Sequence, residues 1–126
     1  MNKEDQLQMA CADYLRLQYP RVLWCHIANE RQTSPARGAK LKRMGVRKGM
    51  PDILVFKKIS TSKPPFSEVR WMNPMNCGLA IELKIKPNKP SIHQMEVLNQ
   101  LSEEGWISEV CYDFDAFKEI VDKYLG

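Results

Sequence analysis

Long apolar runs are missing from this sequence. Its most hydrophobic stretches, such as Leu79-Ala80-Ile81-Glu82-Leu83-Lys84-Ile85, are strand-sized, far short of the roughly 18 to 20 residues that span a bilayer. No membrane partner is therefore expected. The polar start Met1-Asn2-Lys3-Glu4-Asp5-Gln6 lacks the apolar centre of a signal peptide, so the reading is a soluble intracellular, cytoplasmic protein. Histidine is scarce, with only His26 and His93 present. The four cysteines, Cys11, Cys25, Cys77 and Cys111, form no CxxC pair, so the spacing announces no zinc site. Three of them lie in apolar segments and read as reduced core thiols. Repeats and linker-like segments are absent too, and 126 residues with 44% hydrophobic side chains suit one domain, 1–126, that buries a single core without disulfide support.

Acid is missing where base is dense. Residues 31–48 hold seven basic side chains (Arg31, Arg37, Lys40, Lys42, Arg43, Arg47 and Lys48) and no acidic one, whereas residues 103–126 are predominantly acidic. On a chain of net charge +4, such a face suits a polyanion like nucleic acid, whose phosphate contacts gain from counterion release. A merely solvated charged face is the plain alternative.

Residues 3–18 place Leu7, Ala10, Cys11, Tyr14 and Leu15 at helical spacing, and Pro20 stops the pattern. A strand is expected over 22–27, then a short basic helix over 36–44 between polar residues 29–35 and the breakers Gly45 and Gly49. A second strand runs from Asp52 to about residue 57. Residues 59–76, rich in Pro, Ser, Lys and Asn, read as a long loop or a hairpin around Val69-Arg70-Trp71-Met72. The central strand follows over 78–85. Ser91 and Gln94 form an S-x-x-Q capping box for a helix to about residue 104, with Met95, Leu98 and Leu101 as its apolar stripe. After Gly105, residues 106–112 read as a strand, and Asp113 caps a last amphipathic helix containing Phe117, Ile120, Val121, Tyr124 and Leu125. The sum is an α/β fold, a mixed central β-sheet flanked by α-helices.

Two charges break the pattern of the central strand. Alternate side chains share a face, so Ile81, Leu83 and Ile85 point one way while Ala80, Glu82 and Lys84 point the other. Asp52 likewise opens the apolar run Asp52-Ile53-Leu54-Val55-Phe56. Burying charge is costly unless it is paired or holds an ion. With the two strands adjacent, Asp52 and Glu82 would concentrate negative charge beside one ammonium, a site that wants a cation. Carboxylates are hard ligands for Mg²⁺ or Mn²⁺, which keep several waters and accept phosphate oxygens, and the Leu83 carbonyl adds another oxygen. A bound ion acidifies a water, and Lys84 can orient it or stabilise transition-state charge, so the expected reaction is phosphodiester hydrolysis. The plain alternative is a weak strand-surface ion pair.

Pro51-Asp52 followed by Glu82-Leu83-Lys84 resembles the PD-(D/E)XK nuclease signature. Taken with Gly49-Met50-Pro51-Asp52-Ile53, Gly78-Leu79-Ala80-Ile81-Glu82-Leu83-Lys84, Ser91 with Gln94, and Gly105 before a strand, the series resembles the VRR-Nuc branch, the virus-type replication-repair nuclease domain, over nearly the whole chain. Glu4 and Gln8 fit the Glu and Gln of that branch's first helix, and Ile27-Ala28-Asn29 fits a strand ending before a basic loop. The stretch between Asp52 and Glu82 is longer than the pattern usually allows.

The resemblance implies a restriction-endonuclease-like core. It implies that Glu4, Asp52, Glu82 and the Leu83 carbonyl bind Mg²⁺ or Mn²⁺, and that Asp52, Glu82, Lys84 and Gln94 form the catalytic set. For Glu4 the ordinary alternative is a favourable acid in a helix's first turn, and for Gln94 its capping role. Arg37, Lys40, Lys42, Arg43, Arg47 and Lys48 would hold the DNA backbone without reading bases, with Lys48, Arg47 and Arg43 foremost; in the 59–76 excursion Lys63, Arg70 and Trp71 are further candidates. His26 and His93 read as structural rather than as general bases. The expected protein is a metal-dependent endonuclease for branched or Holliday-junction-like DNA, a homodimer without nucleotide cofactor, in the host cytoplasm if viral. The alternatives are a non-catalytic nucleic-acid-binding module and an RNA-directed nuclease.

Overall fold

The computed structural model describes residues 1–28, 34–60 and 75–126. In chain order the elements are α1 (Lys3–Gln18), β1 (Leu23–His26), α2 (Pro35–Arg43), β2 (Ile53–Phe56), β3 (Ile59–Ser60), β4 (Met75–Asn76), β5 (Gly78–Leu83), α3 (Ile92–Glu103), β6 (Trp106–Cys111) and α4 (Phe114–Leu125). Each helix starts where a side chain can take up a free amide: Asn2, Ser34, Ser91 and Asp113 accept from Asp5, Arg37, Gln94 and Ala116 N–H respectively.

The sheet runs β1-β2-β5-β6. β2 runs antiparallel to both its neighbours, β1 and β5, and β6 lies parallel to β5, with Gly78 beside Trp106 and Leu83 beside Cys111. The sheet is therefore mixed, as the order of elements led us to expect. β5 is buried along its whole length because helices cover both faces. On one face Leu79, Ile81 and Leu83 join Ile53 and Val55 under α1 (Leu7, Cys11, Leu15) and α4 (Phe117, Val121, Leu125). Leu54 and Ala80 lie on the other, with Leu98 of α3. Each large side chain buried this way contributes about 1.5–3 kcal/mol. Gly78 is required where β5 meets β2, since a Cβ there would lie 2.0 Å from the Val55 carbonyl oxygen. Two phenols, Tyr14 and Tyr19, donate to the carboxylate of Asp122 at 2.7 and 2.6 Å and tie α1 to α4.

Three expectations change. The central strand ends at Leu83 rather than residue 85, because the chain turns there and Asn88 N–H bonds the Ile85 carbonyl; Lys84 N–H still donates to Cys111 O at 2.9 Å. Only Cys11 and Cys111 are core thiols. Cys25 is exposed because β1 is an edge strand, and Cys77 is exposed just before β5. On α3, Leu98 and Leu101 of the stripe read from sequence pack on the core, but Met95 is exposed and Val97 is buried beside Leu98 in its place. The 59–76 excursion begins and ends in a short ladder, Ile59 opposite Asn76 and Ser60 opposite Met75. The hairpin around residues 69–72, and Asn29, Arg31, Lys63, Arg70 and Trp71, lie outside the described residues.

Candidate active site

The β2–β5 ladder stops at Ile53 opposite Ile81. One residue further, Asp52 and Glu82 would face each other, but here the strands part. The Leu83 amide, left without a ladder partner on that side, donates instead to Asp52 Oδ2 at 2.8 Å. Asp52 is held from behind as well. Its carbonyl accepts from Ile27 N–H at 3.0 Å, and His26 Nδ1 lies 2.7 Å from the same oxygen. A carbonyl only accepts, so Nδ1 carries the proton in this contact. Pro51 is fully buried. Gly49, with φ +87°, presses against the start of α3, where a Cβ would come within 2.9 Å of the His93 carbonyl group; glycine is required both by that space and by the left-handed backbone.

Glu82 is the one buried charged residue among those described, at 1% exposure. It projects to the α3 side of the sheet, together with Ala80, as strand alternation requires. Its Oε1 accepts from Gln94 Nε2 at 3.2 Å and lies 3.8 Å from Lys84 Nζ. Its Oε2 is buried with no hydrogen-bond partner among the described residues. Burial, followed by the negative charge of Asp52 and a hydrogen bond that the protonated carboxyl gives to it, pushes the Glu82 carboxyl up to about 9; the Lys84 ammonium opposes the rise and Glu4 adds a smaller part. Gln94 serves two structures at once. Its Oε1 accepts from Ser91 N–H at 2.8 Å to close the capping box, while its Nε2 steadies Glu82.

The donor set fits a hard divalent cation. Asp52, Glu82 and Leu83 line one cleft, one Glu82 oxygen there is buried without a protein donor among the described residues, and a single lysine is the nearby counter-charge. Among the described residues no three His, Cys, Asp or Glu side chains group closely enough to share an ion. Glu4 lines the same cleft from α1, and its charge is felt at Glu82, but it stands outside a three-carboxylate cage.

The cleft is open, about 1360 Å³, and its walls include Glu4, Gln8, His26, Asp52, Glu82, Leu83, Lys84, His93 and Gln94. On its basic side α2 offers Gly38, Leu41 and Lys42, spaced i, i+3 and i+4 on one helical surface, and residues 45–48 continue the wall beyond the helix. Lys42, Arg47 and Lys48 therefore line the cleft, whereas Arg37, Lys40 and Arg43 sit on other faces of the segment. Arg47 also donates to Gln100 Oε1 of α3 at 3.0 Å. Of the six basic residues named from sequence, Lys42, Arg47 and Lys48 line the cleft, and Arg43, placed among the foremost, does not. His26, read from sequence as structural rather than as a general base, contacts the Asp52 carbonyl through a register, His26 opposite Ile53, that one strand alone does not reveal.

The family model of the VRR-NUC domain matches residues 2–114. A solved structure described as a VRR_NUC domain protein superimposes with a TM-score of 0.69 at 23% identity, over 99% of this chain and 89% of that chain. Comparison with curated proteins returns no match. No helix among the described residues is long and apolar enough to cross a membrane.

Proposed function

The chain belongs to the VRR-NUC domain family, a family of nucleases, and on that premise we propose that it hydrolyses phosphodiester bonds in DNA with Mg²⁺ or Mn²⁺ as cofactor. The observation that carries this is the parting of β2 and β5, which sets Asp52 against the Leu83 amide beside a buried Glu82 that Gln94 steadies and whose second oxygen has no protein donor among the described residues. In this reading Asp52, Glu82 and the Leu83 carbonyl are the ligands. The ion, when bound, supplies positive charge to the phosphate oxygens and acidifies a water.

The remaining work falls to the chain. Gln94 fixes Glu82 so that its carboxylate need not reorganise during the reaction. Lys84, whose side chain is 14% exposed, offers its ammonium to the charge that builds on the phosphate as water adds and the ester P–O bond breaks. Glu4 acts from across the cleft. Lys42, Arg47 and Lys48 hold the backbone of the DNA without reading its bases. Preference for branched or junction DNA, and a homodimer that brings two sites to the two strands of a symmetric junction, complete the proposal.

Labelled duplex, single-stranded, flap and four-way-junction DNA, incubated with Mg²⁺, Mn²⁺ or EDTA, test it. Metal-dependent cleavage is expected, strongest on branched substrates, and Lys84→Ala should lower the single-turnover rate by about 10²–10³ while keeping most of the affinity. Binding without cleavage under every metal condition refutes the enzyme. Equal cleavage of RNA points to the ribonuclease, and cleavage unchanged in EDTA or in Lys84→Ala refutes the mechanism.

A further inference from the structure

Glu4, Gln8 and Cys11 are spaced i, i+4 and i+7 along α1 and so lie on one face of it. Both ends of this line are located by what they sense. Glu4 contributes to the field at Glu82, and Asp52 contributes to the field at Cys11. Gln8 stands between them, half-buried, in the wall of the cleft that Asp52, Glu82, Leu83 and Lys84 also line, on the helix that packs against β5.

The Gln8 amide oxygen is buried and has no hydrogen-bond partner among the described residues. Among the described residues it shares that condition with Glu82 Oε2 alone. A buried acceptor without a donor is expensive to maintain, and an amide oxygen is relieved only by an N–H or O–H group. Asp52 across the cleft is an acceptor, and the proton that the Glu82 carboxyl keeps is drawn to Asp52. Lys84, the nearest cation on that side, is directed to Glu82 Oε1. A hydrated divalent ion answers both orphaned oxygens at once, because Mg²⁺ held by one or two carboxylates keeps several waters, each a donor, and acceptors just outside the ligand set orient them.

We propose that Gln8 is a positioning residue of this site: its Oε1 accepts a hydrogen bond from the hydration shell of a Mg²⁺ or Mn²⁺ ion held by Asp52 and Glu82, and so fixes where that shell's water stands relative to the scissile phosphate. The inference rests on the metal reading above and extends it to a residue outside the ligand and catalytic sets.

The test is direct Mn²⁺ binding without DNA, read from the electron paramagnetic resonance signal of free Mn²⁺, on the full chain and on Asp52→Asn, Gln8→Leu and Gln8→Glu, with melting temperatures in EDTA alongside. The expected pattern is binding by the native chain, none by Asp52→Asn, affinity about 10-fold weaker in Gln8→Leu, and affinity equal to or tighter than native in Gln8→Glu, which keeps the acceptor. In EDTA the Leu variant should melt no lower than the native chain, since it removes a buried unpaired oxygen at similar volume. Native affinity in Gln8→Leu overturns the role of Gln8 and leaves the metal reading standing, as does weakened binding in Gln8→Glu should the Leu variant fail to fold. Absence of binding by the native chain, or equal binding by Asp52→Asn, overturns the metal reading and the role of Gln8 with it.

Discussion

Replacing Glu82 with Gln should stabilise the metal-free protein, and increasingly so as pH rises. Burial and the adjacent Asp52 raise the Glu82 carboxyl from 4.5 to about 9, so the folded chain keeps a proton that the unfolded chain releases above pH 4.5. A carboxyl raised in this way favours the fold fully below its unfolded pKa, and that contribution is lost as pH rises through the folded one. The slope is about 1.4 kcal/mol per pH unit for one proton, or about 4 kcal/mol between pH 5 and pH 8. Water entering from the open cleft screens part of this, leaving about 2–4 kcal/mol. Gln copies the neutral carboxyl and can still accept from Gln94, so it escapes the slope. At about 4 °C per kcal/mol for a chain of this size, Glu82→Gln should melt about 8–16 °C above the native protein at pH 8 in EDTA and within a few degrees of it at pH 5. Circular dichroism melts across pH 5–8.5 measure this. A difference that does not grow with pH, or a Gln variant that is less stable throughout, refutes the reasoning. Adding Mg²⁺ should reverse the order, because only the native chain gains from binding.

Three further variants probe the frame around that carboxylate and the basic wall of the cleft. Gly49→Ala places a Cβ in a left-handed backbone, 2.9 Å from the His93 carbonyl group; it should cost about 2–4 kcal/mol, read by chemical denaturation, and lower cleavage further by shifting Gln94. Full stability and activity would show that the start of α3 is not held by this contact. Lys42→Glu with Lys48→Glu should weaken DNA binding on every substrate and flatten its salt dependence, whereas Lys40→Glu with Arg43→Glu, off the cleft wall, should do so less in the same fluorescence-anisotropy titration. Equal losses would mean that the DNA path covers more of α2 than the cleft.

Much of this frame is legible in one dimension. Alternation along residues 79–85 separates Glu82 from Ile81 and Leu83, and the structure puts it on the α3 face with Ala80. Ser91 and Gln94 announce both the start of α3 and the side chain that reaches Glu82. Less legible is anything set by how elements dock. Val97 rather than Met95 is buried because packing, not periodicity alone, chooses which edge of the stripe faces the sheet. Lys42 lines the cleft and Arg43 does not because the phase of a nine-residue helix is fixed only by its neighbours. The Asp52 bond to the Leu83 amide and the His26 contact join residues distant in sequence through a register that each strand separately leaves open, and the burial of the Gln8 oxygen depends on how α1 docks.

The central claim is that Asp52 and Glu82 meet at one ion, and Mn²⁺ soaked into crystals of the protein tests it most directly through anomalous diffraction. The account predicts an anomalous peak within about 2.5 Å of carboxylate oxygens of both residues, beside the Leu83 carbonyl, and lost in Asp52→Asn. A peak elsewhere on the chain, or none between Asp52 and Glu82 at saturating Mn²⁺, would contradict it.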